Sequence, residues 1–421
     1  MRPSPYRDVV WYFVFEGAGR EDAIRLQLLG SEQELYERGD DPAQGFPIAL
    51  PLDWSSSKVS RPEWTRSPVP SDVWMDLGHQ LWRALPDPAK EPLRAKGSGQ
   101  PCRVKIASNS SAIHDMPWEW LNSGGDGPLA LRPHIRLSRA VPVRVAAPPL
   151  AVEPPVRVLL LVPNPKDDRL MSAFAEIEAI AEGVAASHYE LKVLEEPTWE
   201  ALVAQLDEYE PCIVHYVGHA GVSQGQGNLV VHDFENRSHW ISGRELGQAL
   251  PLSVRLLCLS TCFTVPNYQI LGLSRLAHSP STYRLPTTIA NRYPVGGHGV
   301  RAFWRAFYRA LIEEDGNANE AFHQAQIAAA TAPLAGADWG SFALVIRDQS
   351  AQVMHLQGPG RKGRERREEE IQAQLISRLA SDLAEIGRKG KGRPEILQKR
   401  FEQEADLASD LAEELGTEDE P

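Results

Sequence analysis

The sequence predicts an α/β fold: a mostly parallel sheet with helices on both faces, preceded by an α+β N-terminal subdomain and followed by a charged helical tail. Three observations carry this. After a proline-rich connector, apolar strand-like runs alternate with amphipathic helical stretches, the pattern of βαβ units with right-handed crossovers. Two of the runs, Cys212-Ile213-Val214-His215-Tyr216-Val217-Gly218-His219 and Val254-Arg255-Leu256-Leu257-Cys258-Leu259-Ser260-Thr261-Cys262, are rich in apolar, largely β-branched or aliphatic residues. Each breaks into small residues after its last titratable group, which marks a buried parallel strand. Between them, Ser242-Gly243-Arg244-Glu245 is a capping box that opens the crossover helix.

The elements follow in order. Val9-Val10-Trp11-Tyr12-Phe13-Val14-Phe15 is a strand, and Ala23-Ile24-Arg25-Leu26-Gln27-Leu28 alternates like a half-exposed one. Residues 71–85 are helical, with Val73, Leu77, Leu81 and Leu85 on one stripe. Cys102-Arg103-Val104-Lys105-Ile106 is a short strand that leads to the aromatic segment Ile113-His114-Asp115-Met116-Pro117-Trp118-Glu119-Trp120-Leu121. The connector from Ala146 to Pro155 separates an N-terminal part, 1–147, from a second domain, 156–350. There, strands are expected at 156–162, 190–194, 212–218, 254–260, 286–291 and 341–347. Helices are expected at 172–186, 199–209, 243–250, 268–277, 299–314 and 318–332. A basic glycine-rich link then introduces the tail, 361–421, with two amphipathic stripes headed by Ile371 and Leu397 and an acidic end. Helices of this kind dock on the parent domain or pair with a partner, so a partner or activator protein is expected there, beside the alternative of a solvated tail.

Bulk properties exclude several classes. The 421 residues have ordinary apolar (42%) and charged (24%) content and a net charge of −12, which argues against a general nucleic-acid binder. No apolar stretch approaches the ~18 residues needed to span a bilayer. Met1-Arg2-Pro3-Ser4-Pro5 leads into a strand rather than a signal peptide. Cys102, Cys212, Cys258 and Cys262 do not make a disulfide framework, so a reducing cytoplasm is expected.

The chemistry is expected where the two strands end. Side chains alternate faces along a strand, so His215, Val217 and His219 share one face, as do Cys258, Ser260 and Cys262. Neighbouring strands lie ~4.8 Å apart. If these two are neighbours, His219 and Cys262 meet at the carboxyl edge, where open parallel sheets do their chemistry. A thiol beside an imidazole is the minimum equipment for an activated nucleophile. His215 and Cys258 lie deeper and belong to the core. Either site residue taken alone reads more often as ordinary core than as catalytic; the pair at two strand ends points to chemistry. The His-x3-His and Cys-x3-Cys spacings suit a metal on a helix, but four residues of strand span ~13 Å, too far for one zinc. No metal and no cofactor is expected.

These residues resemble the two signature blocks of CHAT domains, caspase-like cysteine peptidases related to caspases and separase. The blocks are Ile213 to Gly221 and Leu257 to Thr264. Met116-Pro117-Trp118-Glu119-Trp120-Leu121 is similar to the family's upstream Pro-Trp-Glu segment, and Trp339-Gly340-Ser341-Phe342-Ala343-Leu344 to its closing strand. The resemblance spans roughly 1–350. It implies a caspase-like sheet, with His219 as base or imidazolium partner and Cys262 as nucleophile. It further implies an oxyanion held by backbone N–H groups around Ala220 and Gly221 and of Cys262 itself. The implied function is hydrolysis of a peptide bond in a specific protein substrate through a thioester. The resemblance also implies a setting in bacterial defence or cell death, where relatives are often paired with a specific protein substrate. No nucleic-acid or membrane partner is implied.

Two departures from the family pattern stand out. Ala220 replaces the usual glycine after the histidine, and Ala is disfavoured if that position needs a positive φ. The turn Arg292-Tyr293-Pro294-Val295-Gly296-Gly297-His298-Gly299 replaces an apolar and acidic one, and reads as a glycine-rich loop. Both leave open a zymogen-like resting state or a catalytically silent interaction module. Trp118 and Trp120 are expected in the core. Arg136 and Arg139 either pair with carboxylates across the domain interface or stay solvated. Gly296-Gly297-x-Gly299 lacks the lysine and hydroxyl of a phosphate-binding loop.

Overall fold

Strand-forming residues open and close the N-terminal part. β1 (Arg7–Phe15), β2 (Ile24–Leu29) and β3 (Phe46–Ile48) precede two helices, α1 (Ser71–Ala84) and α2 (Asp87–Arg94). β4 (Cys102–Ser108), the short α3 (Ser111–Asp115), β5 (Ile135–Ala140) and β6 (Leu150–Val152) follow. Strand and helix then alternate as expected: β7 (Val156–Val162), α4 (Phe174–Ala185), β8 (Tyr189–Glu195), α5 (Trp199–Tyr209) and β9 (Ile213–Ser223). β10 (Gln226–His232), β11 (Ser238–Ser242), α6 (Gly243–Ala249), β12 (Leu256–Cys262) and β13 (Thr287–Asn291) come next. The last elements are α7 (Gly297–Glu313), α8 (Ala318–Thr331), β14 (Phe342–Ile346) and β15 (Met354–Leu356).

The computed structural model describes residues 6–15, 24–30, 45–50, 71–94, 101–108, 110–124, 127–140, 149–166, 174–185, 189–223, 226–262, 285–292, 297–333, 336, 338–347 and 351–356. The helix expected at 268–277, the centre of the glycine-rich turn and the tail lie outside these residues.

Among the described residues one sheet holds 13 strands along the path β11-β10-β9-β12-β13-β14-β5-β4-β1-β2-β3, with β7 and β8 attached at β9. Pairing is parallel from β8 through β7, β9 and β12 to β13, and again among β14, β5, β4 and β1. Antiparallel pairs join β13 to β14 and form the hairpins at the two edges. The fold is therefore the α/β class expected, mostly parallel and helix-covered.

Strand alternation divides the core in two. On one face, Val158, Ile213, Val217, Leu256 and Cys258 pack with Ile180 of α4 and Phe303, Trp304 and Phe307 of α7. On the other, Leu159, Val214, Tyr216, Leu257 and Leu259 pack with Leu202 and Leu206 of α5 and Leu246 of α6. Each fully buried large apolar side chain contributes about 1.5–3 kcal/mol. The capping box forms as read: Ser242 Oγ accepts from the Glu245 N–H at 3.1 Å, and Glu245 Oε2 accepts from the Ser242 N–H at 2.7 Å. No helix among the described residues is long and apolar enough to cross a membrane.

Two departures from the expected elements bear on the residues around the strand ends. The strand expected to end at 218 continues through Ala220 and Gly221 to Ser223, because these residues pair with Leu229 and Asn228 of β10 in a hairpin. Small residues read as a loop, yet a paired backbone makes them strand. The second concerns Gly297, His298 and Gly299, which form the first turn of α7 rather than a glycine loop. Gly299 is required there by close packing: a Cβ would lie 2.5 Å from the Asp338 Cβ.

Both arginines left open by the sequence are paired. Arg136 makes a bidentate bridge to Glu320 of α8, at 2.8 and 2.9 Å. Arg139 grips Glu119, and Arg292 donates to the same carboxylate at 2.7 Å. Trp118 and Trp120 are core residues.

Candidate active site

β9 and β12 are immediate neighbours, parallel and in register. His215 faces Cys258 across the ladder, and four residues later His219 faces Cys262. The neighbour relation supposed from the sequence is thus present, and Cys262 is the last residue of its strand. His219 is buried, with 1% exposure. Its ring belongs by alternation to the face covered by α4 and α7.

Local structure around His219 follows from two unusual neighbours. β9 pairs with β7 through Ile213–Tyr216 and with β10 from Ala220 onward. Between these partners the ladder has a gap, and the Tyr216 hydroxyl fills it. It lies 2.7 Å from the His219 carbonyl and 2.9 Å from the Val230 carbonyl, and accepts the Val230 N–H at 3.1 Å. The ring reaches this position by folding across residue 218. A Cβ there would lie 2.5 Å from the Tyr216 ring and 2.9 Å from Pro163, so only glycine fits. Ala220 has an extended backbone and is absent from the positive-φ residues. The conformational objection to alanine there falls away, and the Ala220 and Gly221 N–H groups belong to a strand rather than to a loop.

Beneath the pair lies a polar layer built on the two core residues the sequence places there. His215 and Cys258 are fully buried. His215 Nδ1 is 2.8 Å from the Tyr308 hydroxyl, and its ring lies 4.3 Å from that of Trp304. Burial pushes His215 down to about 3, so it is neutral in the core. Burial also pushes the thiols of Cys102, Cys212 and Cys258 up, Cys102 to about 11, which leaves all three protonated and inert. Glu176, in the first turn of α4, is raised by burial to about 7, a rise that its neighbours Ser260 and Trp304 partly offset.

Two further contacts position the strand ends. The Asn291 side chain, at the end of β13, hydrogen-bonds both backbone groups of Thr261, the residue before Cys262. Glu119 is 1% exposed and held between Arg139 and Arg292, the residue after Asn291. Burial pushes the Glu119 carboxyl up, but the two guanidiniums outweigh it and hold it below its ordinary value. Arg292 also donates to the Met116 and Gly340 carbonyls, at 3.2 and 3.0 Å, tying the Pro-Trp-Glu segment to the strand end. The sequence signal for Asn291 is an amide closing the buried run Thr287-Thr288-Ile289-Ala290. Glu176 and Arg292 carry no local signal, because their partners are distant in the chain.

A mostly parallel, helix-covered sheet in which a cysteine closing one strand lies opposite a histidine of its parallel neighbour has the architecture expected of a caspase-like protein. The CHAT domain family model matches residues 75–347, and the chain belongs to that family. No curated protein sequence matches it. Among solved structures it is similar to the Arg-specific cysteine proteinase gingipain R, with 11% identity, 72% of this chain and 74% of that chain covered, and a TM-score of 0.39. It is also similar to separase in the Saccharomyces cerevisiae separase–securin complex, with 13% identity and a TM-score of 0.35. There it covers 59% of this chain and spans 15% of the separase chain.

Proposed function

We propose that this chain is a cysteine endopeptidase that cleaves a specific protein substrate with a His219/Cys262 dyad. The observation that carries the reading is the parallel register that sets His219 opposite Cys262. Cys262 gives its proton to the imidazole, and the thiolate attacks the scissile carbonyl. Backbone N–H groups of Ala220, Gly221 and Cys262 are the candidates to hold the oxyanion. The imidazolium then protonates the leaving amine, and a thioester remains on Cys262. Water, deprotonated by the neutral imidazole, attacks the thioester, and the acid product and the thiol are released. The raised pKa values of the three buried thiols support the assignment, since Cys262 is the cysteine that closes a strand at its carboxyl end. Family membership supports the substrate class and a role in bacterial defence or cell death.

Wild type and Cys262→Ala are to be incubated side by side with host lysate and with proteins encoded nearby, and new protein termini scored by mass spectrometry. Termini produced by wild type alone are expected. Identical termini from both proteins, with slow alkylation of Cys262, would contradict the peptidase and favour an interaction module.

A further inference from the structure

The β12–β13 ladder pairs Leu256 with Thr287 and ends where Leu259 faces Ala290. Beyond that point main-chain pairing on the β13 side stops, two residues short of Thr261 and three short of Cys262, while pairing with β9 runs on to Cys262. A strand end held from one side only is less firmly fixed than one paired on both. Here the side chain of Asn291 continues the ladder. Its Oδ1 accepts the Thr261 N–H at 2.8 Å and lies 3.1 Å from the Thr261 hydroxyl. Its Nδ2 donates to the Thr261 carbonyl at 2.8 Å. The side-chain amide therefore does what a peptide group of β13 would do, taking one donor and one acceptor from a single residue. Asn291 and Thr261 are both buried, so water does not compete for these bonds.

The consequence reaches the next residue. The Thr261 carbonyl and the Cys262 N–H belong to one planar trans peptide and point in opposite directions. Fixing the carbonyl toward Asn291 turns the Cys262 N–H toward β9, the strand that carries His219. We infer that Asn291 is a positioning residue for the nucleophile: its amide holds the Thr261–Cys262 peptide so that Cys262 keeps its place opposite His219. The inference rests on the dyad reading and deepens it. In this role Asn291 acts through Thr261, whose two backbone groups it holds.

The test uses the full chain as wild type, Asn291→Ala and Asn291→Asp. The readouts are the Cys262 alkylation rate with iodoacetamide against pH, kcat and KM on the cleaved protein, and the melting temperature. Asn291→Ala is expected to lower kcat on the order of 100-fold with KM nearly unchanged, the signature of misplaced reacting groups. It is also expected to return Cys262 to ordinary thiol reactivity. In Asn291→Asp the protonated carboxyl reproduces the donor and acceptor of the amide, whereas the carboxylate repels the Thr261 carbonyl. Its deficit relative to wild type is therefore expected to shrink as pH falls, which a purely structural role does not produce. A reactive wild type with an equally reactive Asn291→Ala overturns the proposal and leaves the dyad standing. So does an Asp variant whose deficit is the same at every pH. A wild type that cleaves nothing and whose Cys262 alkylates like a free thiol takes down the dyad reading and the proposal together.

Discussion

Glu176 faces Ser260 on the nucleophile strand, and burial raises its carboxyl to about 7. Unfolded, the same group titrates at ~4.3. Between these values the folded state binds more protons than the unfolded one, so stability falls as pH rises through this window and levels off above it. The full cost above pH 7 is on the order of 4 kcal/mol. Glu176→Gln removes the titration and keeps the shape. Its melting temperature is expected to exceed that of wild type at about pH 8 and to match it near pH 4.5; an offset independent of pH would contradict the burial argument. At the same scale, His219 and Cys262 were legible because each closes an apolar run with a side chain that has chemistry to offer. Glu176 was not, since a glutamate in the first turn of a helix is commonplace and only the packed Trp304 and Ser260 make it unusual.

At the scale of elements, β9 depends on Gly218. Alanine there drives a Cβ into the Tyr216 ring and Pro163. Relief requires the ring to swing away, which empties the ladder gap and frees the His219 carbonyl. Gly218→Ala is expected to destabilise the fold by about 1–3 kcal/mol, the usual cost of overpacking, and to lower activity further at assay temperatures where it stays folded. Unfolding by denaturant and turnover of the same preparation check this; wild-type values for both would show that Tyr216 has room to move. The core strands β7, β9 and β12 were legible from largely apolar runs, and α6 from its capping box. The tail of β9 was not, because Ala220 and Gly221 carry no strand propensity and are held by hairpin pairing. Nor was β11, whose half-exposed Ser238-His239-Trp240-Ile241-Ser242 shows no clean alternation.

Across the whole molecule, the site depends on contacts between distant parts of the chain. β14 pairs with β5, Val345 beside Arg139, so a single sheet runs through the N-terminal strands and the dyad strands alike. The Glu119 carboxylate, clamped by Arg139 and Arg292, fixes the Pro-Trp-Glu segment against the end of β13. None of this follows from local pattern: a proline-rich connector suggests two separate parts, and the pairing that joins them links residues some two hundred positions apart. What the sequence did carry was the α/β class and the two strands that meet at the site. That the register of β9 and β12 makes His219 and Cys262 a functional pair is the central claim. The most direct measurement is the alkylation rate of each cysteine, by mass spectrometry, across about pH 5–9 in wild type and His219→Ala. Cys262 is expected to react far faster than Cys102, Cys212 and Cys258, with a midpoint below the free-thiol value of ~8.5 that rises to it when His219 is removed. A Cys262 profile at the free-thiol value, unmoved by His219→Ala, would contradict the account.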